Sequence, residues 1–212
     1  MSAPLFSVDL LGVWHLLRCI FEPKAPMREQ KSFQIGQGNL PMSINGSDIA
    51  ASDPTRQFFR HILATIAYRG GKTLRSAPES FATFRIAETS RTPAQILAHM
   101  GDLVEWTYRQ VRGEQWLPAW HPVGPSTWDA DVARFFKALE QVDNALATEQ
   151  SSATTLEVLF QGPVSDVLTH IGQLGMLRRV AGSPIKGEVM VIADVQVGRV
   201  GLDQAAPKRE FE

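Results

Sequence analysis

Apolar residues recur at every third or fourth position in four separate stretches of the chain, the spacing that gathers them on one face of an α-helix. The first stretch opens with Asp53-Pro54, an N-cap acceptor followed by proline at the first helical position. We predict helices from Asp53 to about Ser76, from Thr92-Pro93 to Gly113, from about Asp129 to Thr148, and from about Gly162-Pro163 to Ala181. Four such helices with little convincing strand indicate an all-α protein, a four-helix bundle.

Two further regions flank the predicted helices. Residues 22–53 are rich in Pro, Gly, Ser, Asn and Gln, which is typical of a linker or irregular arm. Apolar residues between 189 and 200 lack clean helical spacing, which favours an extended strap. We therefore predict an irregular N-terminal extension over 1–52, the bundle over 53–185, and an extended C-terminal tail over 186–212 that packs on the bundle.

Composition narrows the classes of protein to consider. The chain has 212 residues, 44% of them hydrophobic, which is enough to bury a sizeable core. Its 21 basic and 22 acidic residues nearly cancel, which argues against nucleic-acid binding driven by bulk charge. The most apolar early stretch, Leu5 to Phe21, carries Asp9 and Arg18, so we expect no membrane span. The one cysteine, Cys19, excludes an internal disulfide and a Cys-rich zinc site, and we expect a cytoplasmic protein.

Three titratable residues fall on helix faces that otherwise carry core residues. His99 lies in the apolar seam of the second helix, and Asp166 and His170 are four residues apart on the fourth. Side chains at this spacing stand side by side, so both can bind one metal ion, and His99 would supply a third ligand. Two imidazoles and a carboxylate suit zinc, nickel, manganese or iron(II), with positions left for water or substrate.

Simpler interpretations of the same residues remain open. A single histidine on an apolar face is usually a hydrogen-bonded core residue. Asp166 lies in the first turn of its helix, where a carboxylate favours the helix dipole. Asp102 and Glu105 either orient an imidazole or belong to a solvated face, with Glu105 near Arg109. Gln173 either faces the site or packs against the neighbouring helix.

Two segments resemble the signature helices of the DinB-like superfamily, which are small metal-binding four-helix bundles and include bacillithiol- and mycothiol-dependent transferases. They are PAQILAHMGDLVEW, from Pro93 to Trp106, and QGPVSDVLTHIGQLGMLRRVAG, from Gln161 to Gly182. The resemblance covers residues 53 to 185. It implies a histidine on the second helix, matched by His99, and a pair on the last helix whose second member precedes x-Gly-Gln, matched by His170. The first member is usually histidine; Asp166 stands there, which leaves the identity and affinity of the metal open.

The resemblance implies a metal-dependent enzyme of the thiol transferase or hydrolase type, with a divalent ion held by His99, Asp166 and His170. A bound ion lowers the pKa of its water and polarises a thiol or a carbonyl. The alternative is a non-catalytic metal-binding or structural bundle, since no clear general base or substrate-binding group stands out. Bundles of this superfamily often pair, so a homodimer is also expected. The small-molecule substrate is not identified by the sequence.

Two other motifs carry less weight. Gly70-Gly71-Lys72-Thr73 imitates the end of a phosphate-binding loop, but Ile66 occupies the position of the required first glycine. The octapeptide LEVLFQGP, from Leu156 to Pro163, is identical to the recognition sequence of rhinovirus 3C protease. Its origin is either an engineered insertion or, at its Gln-Gly-Pro end, native sequence that also fits the start of the last signature helix. We therefore assign no function to residues 156–160.

Overall fold

The computed structural model describes residues 53–114, 126–148 and 152–212, so the predicted extension over 1–52 lies outside the described residues. The described part of the chain is mostly helical. Its α-helices are α1 (Pro54–Leu74), α2 (Pro93–Val111), α3 (Trp128–Thr148), α4 (Leu156–Leu159) and α5 (Ser165–Val180). A π-helical turn, Phe160–Val164, joins α4 to α5, and short 3-10 helices cover Glu79–Phe81 and Met190–Ile192. The strands β1 (Gly187–Glu188) and β2 (Glu210–Phe211) pair antiparallel.

The first two predicted helix starts are confirmed by their caps. The side chain of Asp53 accepts a hydrogen bond of 2.9 Å from the backbone N–H of Thr55. At α2, Thr92 and Gln95 form a reciprocal capping box, in which each side chain accepts from the other residue's backbone N–H. These bonds satisfy N–H groups that have no partner inside the helix, which is why the sequence signal for both starts is dependable.

The four long helices share one apolar core. Helix α1 packs against α3 and α5, and α2 packs against the same two neighbours. A bidentate ion pair reinforces the α1–α3 contact, since the guanidinium of Arg60 donates two bonds of 2.8 Å to Asp143. Large fully buried side chains come from every long helix: Leu63 and Ile66 of α1, Leu97 and Met100 of α2, Phe135 and Leu139 of α3, and Leu174 of α5.

Helix α1 continues without a break through Gly70-Gly71, both of which are buried. A Cβ atom at Gly70 would lie 3.3 Å from Cε1 of Phe135, so the missing side chain leaves room for an aromatic ring of α3. The glycine pair that imitates a phosphate-binding loop therefore serves helix packing. Glycine lowers the stability of a helix, and the closer contact between α1 and α3 that the missing side chain permits offsets this cost.

The predicted start of the fourth helix near Gly162-Pro163 is wrong, because the chain is already helical from Leu156. Proline inside an α-helix removes one hydrogen bond and clashes with the preceding turn. The chain accommodates Pro163 by widening into the π-helical turn, in which the N–H of Ser165 donates to the carbonyl of Phe160, five residues earlier. Leu159 is fully buried, so this segment contributes to the core.

The residues after the last helix lie against α1. Glu188 accepts hydrogen bonds from the hydroxyl of Tyr68 at 2.7 Å and from Nζ of Lys72 at 3.0 Å. Glu210 accepts a second bond from Lys72 at 2.8 Å, and Val200 is buried among the core residues. Among the described helices, none has the length and hydrophobicity needed to cross a bilayer.

Candidate metal centre

The contact between α2 and α5 brings together the three residues that the sequence singles out. His99 lies about two turns after Thr92, the N-cap of α2. Asp166 is the second residue of α5, directly after the π-helical turn, and His170 follows one turn later. Each of the three residues offers one ligand atom, and these atoms all lie within 4.8 Å of one another. The capped start of α2 and the π-helical turn therefore determine where the ligands stand.

The distances within this cluster are longer than hydrogen bonds. Nε2 of His99 lies 3.6 Å from Oδ2 of Asp166, and Nε2 of His170 lies 3.5 Å from Oδ1 of the same carboxylate. Good hydrogen bonds between nitrogen and oxygen span about 2.7–3.2 Å. Neighbouring ligands of a tetrahedral ion with bonds of about 2.0–2.1 Å are separated by roughly 3.4 Å. The observed distances of 3.6 and 3.5 Å are therefore closer to the separation of two ligands on one ion than to the length of a hydrogen bond.

His170 provides the test of whether this cluster fits a metal ion. Its Nδ1 lies 2.8 Å from Oε1 of Gln173, whereas its Nε2 is buried and has no hydrogen-bond partner among the described residues. An Nδ1–H that donates to the amide oxygen leaves the lone pair on Nε2, directed at the cluster. A buried polar atom without a partner costs about 1–3 kcal/mol. A metal ion bound at Nε2 would remove that cost, so the donor set fits one.

The same bond assigns a role to Gln173, for which the sequence left two alternatives. Its side-chain oxygen contacts His170 one turn earlier on α5. Metal-binding imidazoles usually donate their other N–H to an oxygen, which fixes the tautomer and the ring orientation. Gln173 therefore orients His170, which gives the glutamine three residues after this histidine a physical reason.

The electrostatic surroundings keep His99 in the form that binds metals. Burial lowers the pKa of His99 from its ordinary value, and electrostatic interactions with the neighbouring His170 and Arg91 lower it further. The carboxylate of Asp166 acts in the opposite direction without reversing the shift. A lowered pKa leaves the imidazole neutral at neutral pH, and only the neutral imidazole coordinates a metal.

A cavity of about 630 Å³ borders the cluster on the side of Asp166. Its walls include Leu103, Trp106 and Val158, with the hydroxyl side chains of Ser165 and Thr169 at the edge. The side chain of Asp166 is 46% exposed, against 19% for His99 and 11% for His170. Asp166 is therefore the ligand on the open side, and a small molecule approaching from this cavity would meet it first.

Asp102 and Glu105, the candidates for orienting an imidazole, lie beside Arg134 of α3. Nη1 of Arg134 is 2.7 Å from Oδ1 of Asp102 and 3.5 Å from Oε1 of Glu105. A Cβ atom at Gly101 would lie 2.7 Å from Cζ of Arg134, so the glycine leaves room for the guanidinium. These carboxylates therefore join α2 to α3. The pairing was missed because nothing in the helical spacing of α2 identifies a partner on another helix.

No protein-family model, curated protein or solved structure matches the chain. The relation to the DinB-like superfamily therefore remains a prediction from the two quoted segments. The cluster of His99, Asp166 and His170 stands on its own geometry: the ligand atoms of three side chains from two helices lie within 4.8 Å of one another.

Proposed function

We propose that the chain is a metal-dependent protein of the DinB-like type, in which the long helices form a four-helix bundle. His99, Asp166 and His170 hold one divalent ion between α2 and α5. The observation that supports this most strongly is the buried Nε2 of His170, which has no hydrogen-bond partner among the described residues and shares its surroundings with two further ligand atoms.

The donor set limits the ions to consider. Imidazole suits zinc, nickel and iron, and a carboxylate extends the range to manganese. Three protein ligands leave at least one coordination position for water or a substrate, which is typical of catalytic rather than structural zinc sites. A structural site would be closed by a fourth protein ligand, and no fourth side chain joins the group among the described residues.

The reaction type that we favour is thiol transfer or hydrolysis. When bound, the ion lowers the pKa of a coordinated water or thiol. Gln173 holds the ring of His170 in place, and Leu103 and Trp106 give one side of the cavity an apolar wall. The hydroxyl groups of Ser165 and Thr169 are available to orient a coordinated water or a second reactant that enters through this cavity.

One observation favours the second candidate, a metal-binding bundle without catalysis. Among the described residues that line the cavity beside Asp166, Asp166 itself is the only titratable one. Because it is also a proposed ligand, no separate side chain in that lining serves as a general acid or base. The two candidates share the metal site and differ only in what the bound ion does.

Metal content of the purified protein tests the proposal. We expect about one equivalent of a divalent metal in the wild-type protein and a large loss in His170→Ala. His61 is exposed on α1 and lies outside the cluster, so His61→Ala makes the same chemical change without touching the site. Near-zero metal in all three proteins after incubation with zinc, nickel, manganese or iron(II) would overturn the proposal.

A second measurement separates the two candidates. The metal-loaded protein is incubated with a panel of thiols and small electrophiles, and with simple esters and amides, and product formation is followed over time. Turnover that disappears in His170→Ala and persists in His61→Ala supports the enzyme. A fully loaded protein that is inert to the whole panel supports the non-catalytic bundle.

A further inference from the structure

A second cavity, of about 450 Å³, borders the proposed metal centre at His170. His170 and Gln173 form part of its wall, so the cavity shares a side chain with the metal centre. Its apolar wall comes from Ile96, Met176 and Leu177. Among the described residues that line it, the permanently charged group is the guanidinium of Arg91. This combination fits a small molecule with an apolar body and a negatively charged end.

The backbone on both sides of Arg91 is fixed. Thr92, the next residue, is the N-cap of α2 and takes part in the capping box. On the other side, the hydroxyl of Ser90 donates to the carbonyl of Ala87 at 2.7 Å, and the guanidinium of Arg85 donates to the carbonyl of Ser90. Arg91 is thus carried by a short segment that its own hydrogen bonds hold in shape, which lowers the entropic cost of placing its side chain at the cavity.

The guanidinium of Arg91 is exposed and makes no hydrogen bond or ion pair with the described residues. Its five N–H donors are therefore available to a ligand. A divalent ion balanced by the single carboxylate of Asp166 leaves excess positive charge, to which Arg91 adds, so the surroundings favour an anion.

We propose that Arg91 selects ligands that carry a carboxylate, and that the substrate of this protein is a small amphipathic acid. This inference rests on the proposed function, because the other end of the ligand reaches the ion held by His99, Asp166 and His170. The planar guanidinium binds a carboxylate with two parallel hydrogen bonds. Ile96, Met176 and Leu177 contact the apolar body between the two ends.

Two matched probes test this on the protein loaded with Co²⁺. The probes are 3-mercaptopropionate and 3-mercaptopropanol, which share a thiol and a chain length and differ in the charged end. Binding of either thiol to the ion is followed by the charge-transfer absorbance between cobalt and sulfur. A charge-assisted hydrogen bond contributes about 1.5–3 kcal/mol, so we expect the acid to bind the wild-type protein at least about tenfold more tightly than the alcohol.

Variants locate the source of this preference. Arg91→Ala is expected to bind acid and alcohol equally, with unchanged affinity for Co²⁺ and for the alcohol. Arg91→Lys is expected to keep part of the preference, since it retains the charge and loses the planar fork. Arg69→Ala is the control, because Arg69 is an exposed arginine on α1 outside this cavity.

The outcomes distinguish this inference from the function on which it rests. If Co²⁺ does not bind the wild-type protein, the proposed metal site fails and the inference fails with it. If Co²⁺ binds but the wild-type protein shows no preference for the acid, the inference alone is overturned. A preference for the acid that survives Arg91→Ala would overturn it as well.

Discussion

At the scale of single residues, Arg178 shows how a buried charge is stabilised without a carboxylate. Only 5% of Arg178 is exposed, and burial lowers the pKa of its guanidinium. The guanidinium donates to four backbone carbonyls, those of Thr73, Arg75, Ser76 and Ser183. Three of them lie at or just after the end of α1, where carbonyls have no partner within the helix. Arg178 therefore closes the end of α1 from α5.

Replacing this side chain should cost a large part of the stability of the fold. We expect Arg178→Ala to lower the free energy of unfolding by at least about 3 kcal/mol, because it leaves several buried carbonyls without donors. Arg178→Lys should be more stable than Arg178→Ala but less stable than the wild-type protein, since an ammonium group cannot reproduce the planar arrangement of donors. Urea unfolding measures the free energy of unfolding of both variants. Arg179→Ala is the control, because Arg179 is the exposed neighbour of Arg178. A loss of under about 1 kcal/mol in Arg178→Ala would contradict this account.

Tyr68 provides a pH dependence whose sign is determined by its surroundings. Burial raises the pKa of Tyr68 to about 12, and the hydrogen bond to Glu188 contributes further. An unfolded chain ionises the same phenol near its ordinary pKa of 10.0. Above its ordinary pKa the unfolded state loses a proton that the folded state keeps. The contribution of Tyr68 to stability is therefore complete below about pH 10 and is lost as the pH rises towards about 12.

The titration of Tyr68 can be observed directly because the chain has two tyrosines. Tyr108→Phe leaves Tyr68 as the only phenol, and the near-ultraviolet absorbance of tyrosinate then reports its ionisation. We expect a midpoint about two pH units above that of free tyrosine while circular dichroism shows the helices intact. Adding Glu188→Gln should move the midpoint down. A midpoint close to 10 in the folded protein would contradict the burial of Tyr68.

At the scale of elements, helix starts with a local cause could be predicted from the sequence. Asp53 and Thr92 cap their helices with their own side chains, so the signal lies within three residues. The start of the last helix could not be predicted, because Pro163 usually marks a first turn and here lies inside a helical segment. The helical segment begins at Leu156 instead, where the side chain of Thr155 accepts a hydrogen bond from the backbone N–H of Val158 and Leu159 is buried in the core.

In the candidate site, too, some features could be predicted from the sequence and others could not. His99, Asp166 and His170 could be found because a shared face follows from spacing along one helix, and two helices then supply one cluster. The bond from His170 to Gln173 depends on which rotamer each side chain adopts, which spacing does not determine. Arg91 was not predicted for a related reason: it lies outside the helix, and no periodicity places it at a cavity.

The helical state of Leu156 to Pro163 predicts how the protein responds to rhinovirus 3C protease. Proteases bind their substrates in extended form, whereas these residues form α4 and the π-helical turn, with Leu159 fully buried. Cleavage between Gln161 and Gly162 therefore requires local unfolding. We expect the native protein to resist the protease, as followed by gel electrophoresis.

The control for this experiment is the same octapeptide placed in a flexible linker between the protein and an added affinity tag. Both sites then compete for one protease in one tube. The linker should be cut quickly and the internal site slowly, and mild urea should increase the internal rate, because it populates the opened form. Equal rates at both sites in native buffer would show that the segment is not held in the helical conformation.

At the scale of the whole molecule, polar interactions bind each of the long helices α1, α2, α3 and α5 to a neighbour, and the metal cluster lies at one of these contacts. Arg60 links α1 to α3, Arg134 links α2 to α3, and Arg178 links α1 to α5. His99 and His170 lie at the contact of α2 with α5, where a bound ion would supply the corresponding link. The cluster is thus placed where metal binding and folding are coupled.

This coupling predicts that a divalent ion stabilises the whole fold. A ligand that binds only the folded state at 100 times its dissociation constant adds about 2.7 kcal/mol. For a chain of 212 residues that corresponds to a rise in Tm of roughly 5–11 °C. We expect this rise with Zn²⁺ or Ni²⁺ in the wild-type protein and in His61→Ala, reversed by a chelator, and no rise in His170→Ala. The rise is measured within each protein, as the difference in Tm with and without metal, because His170→Ala also removes a buried ring and its bond to Gln173 and so lowers the metal-free Tm by itself. An equal rise in all three proteins would place the ion elsewhere on the chain.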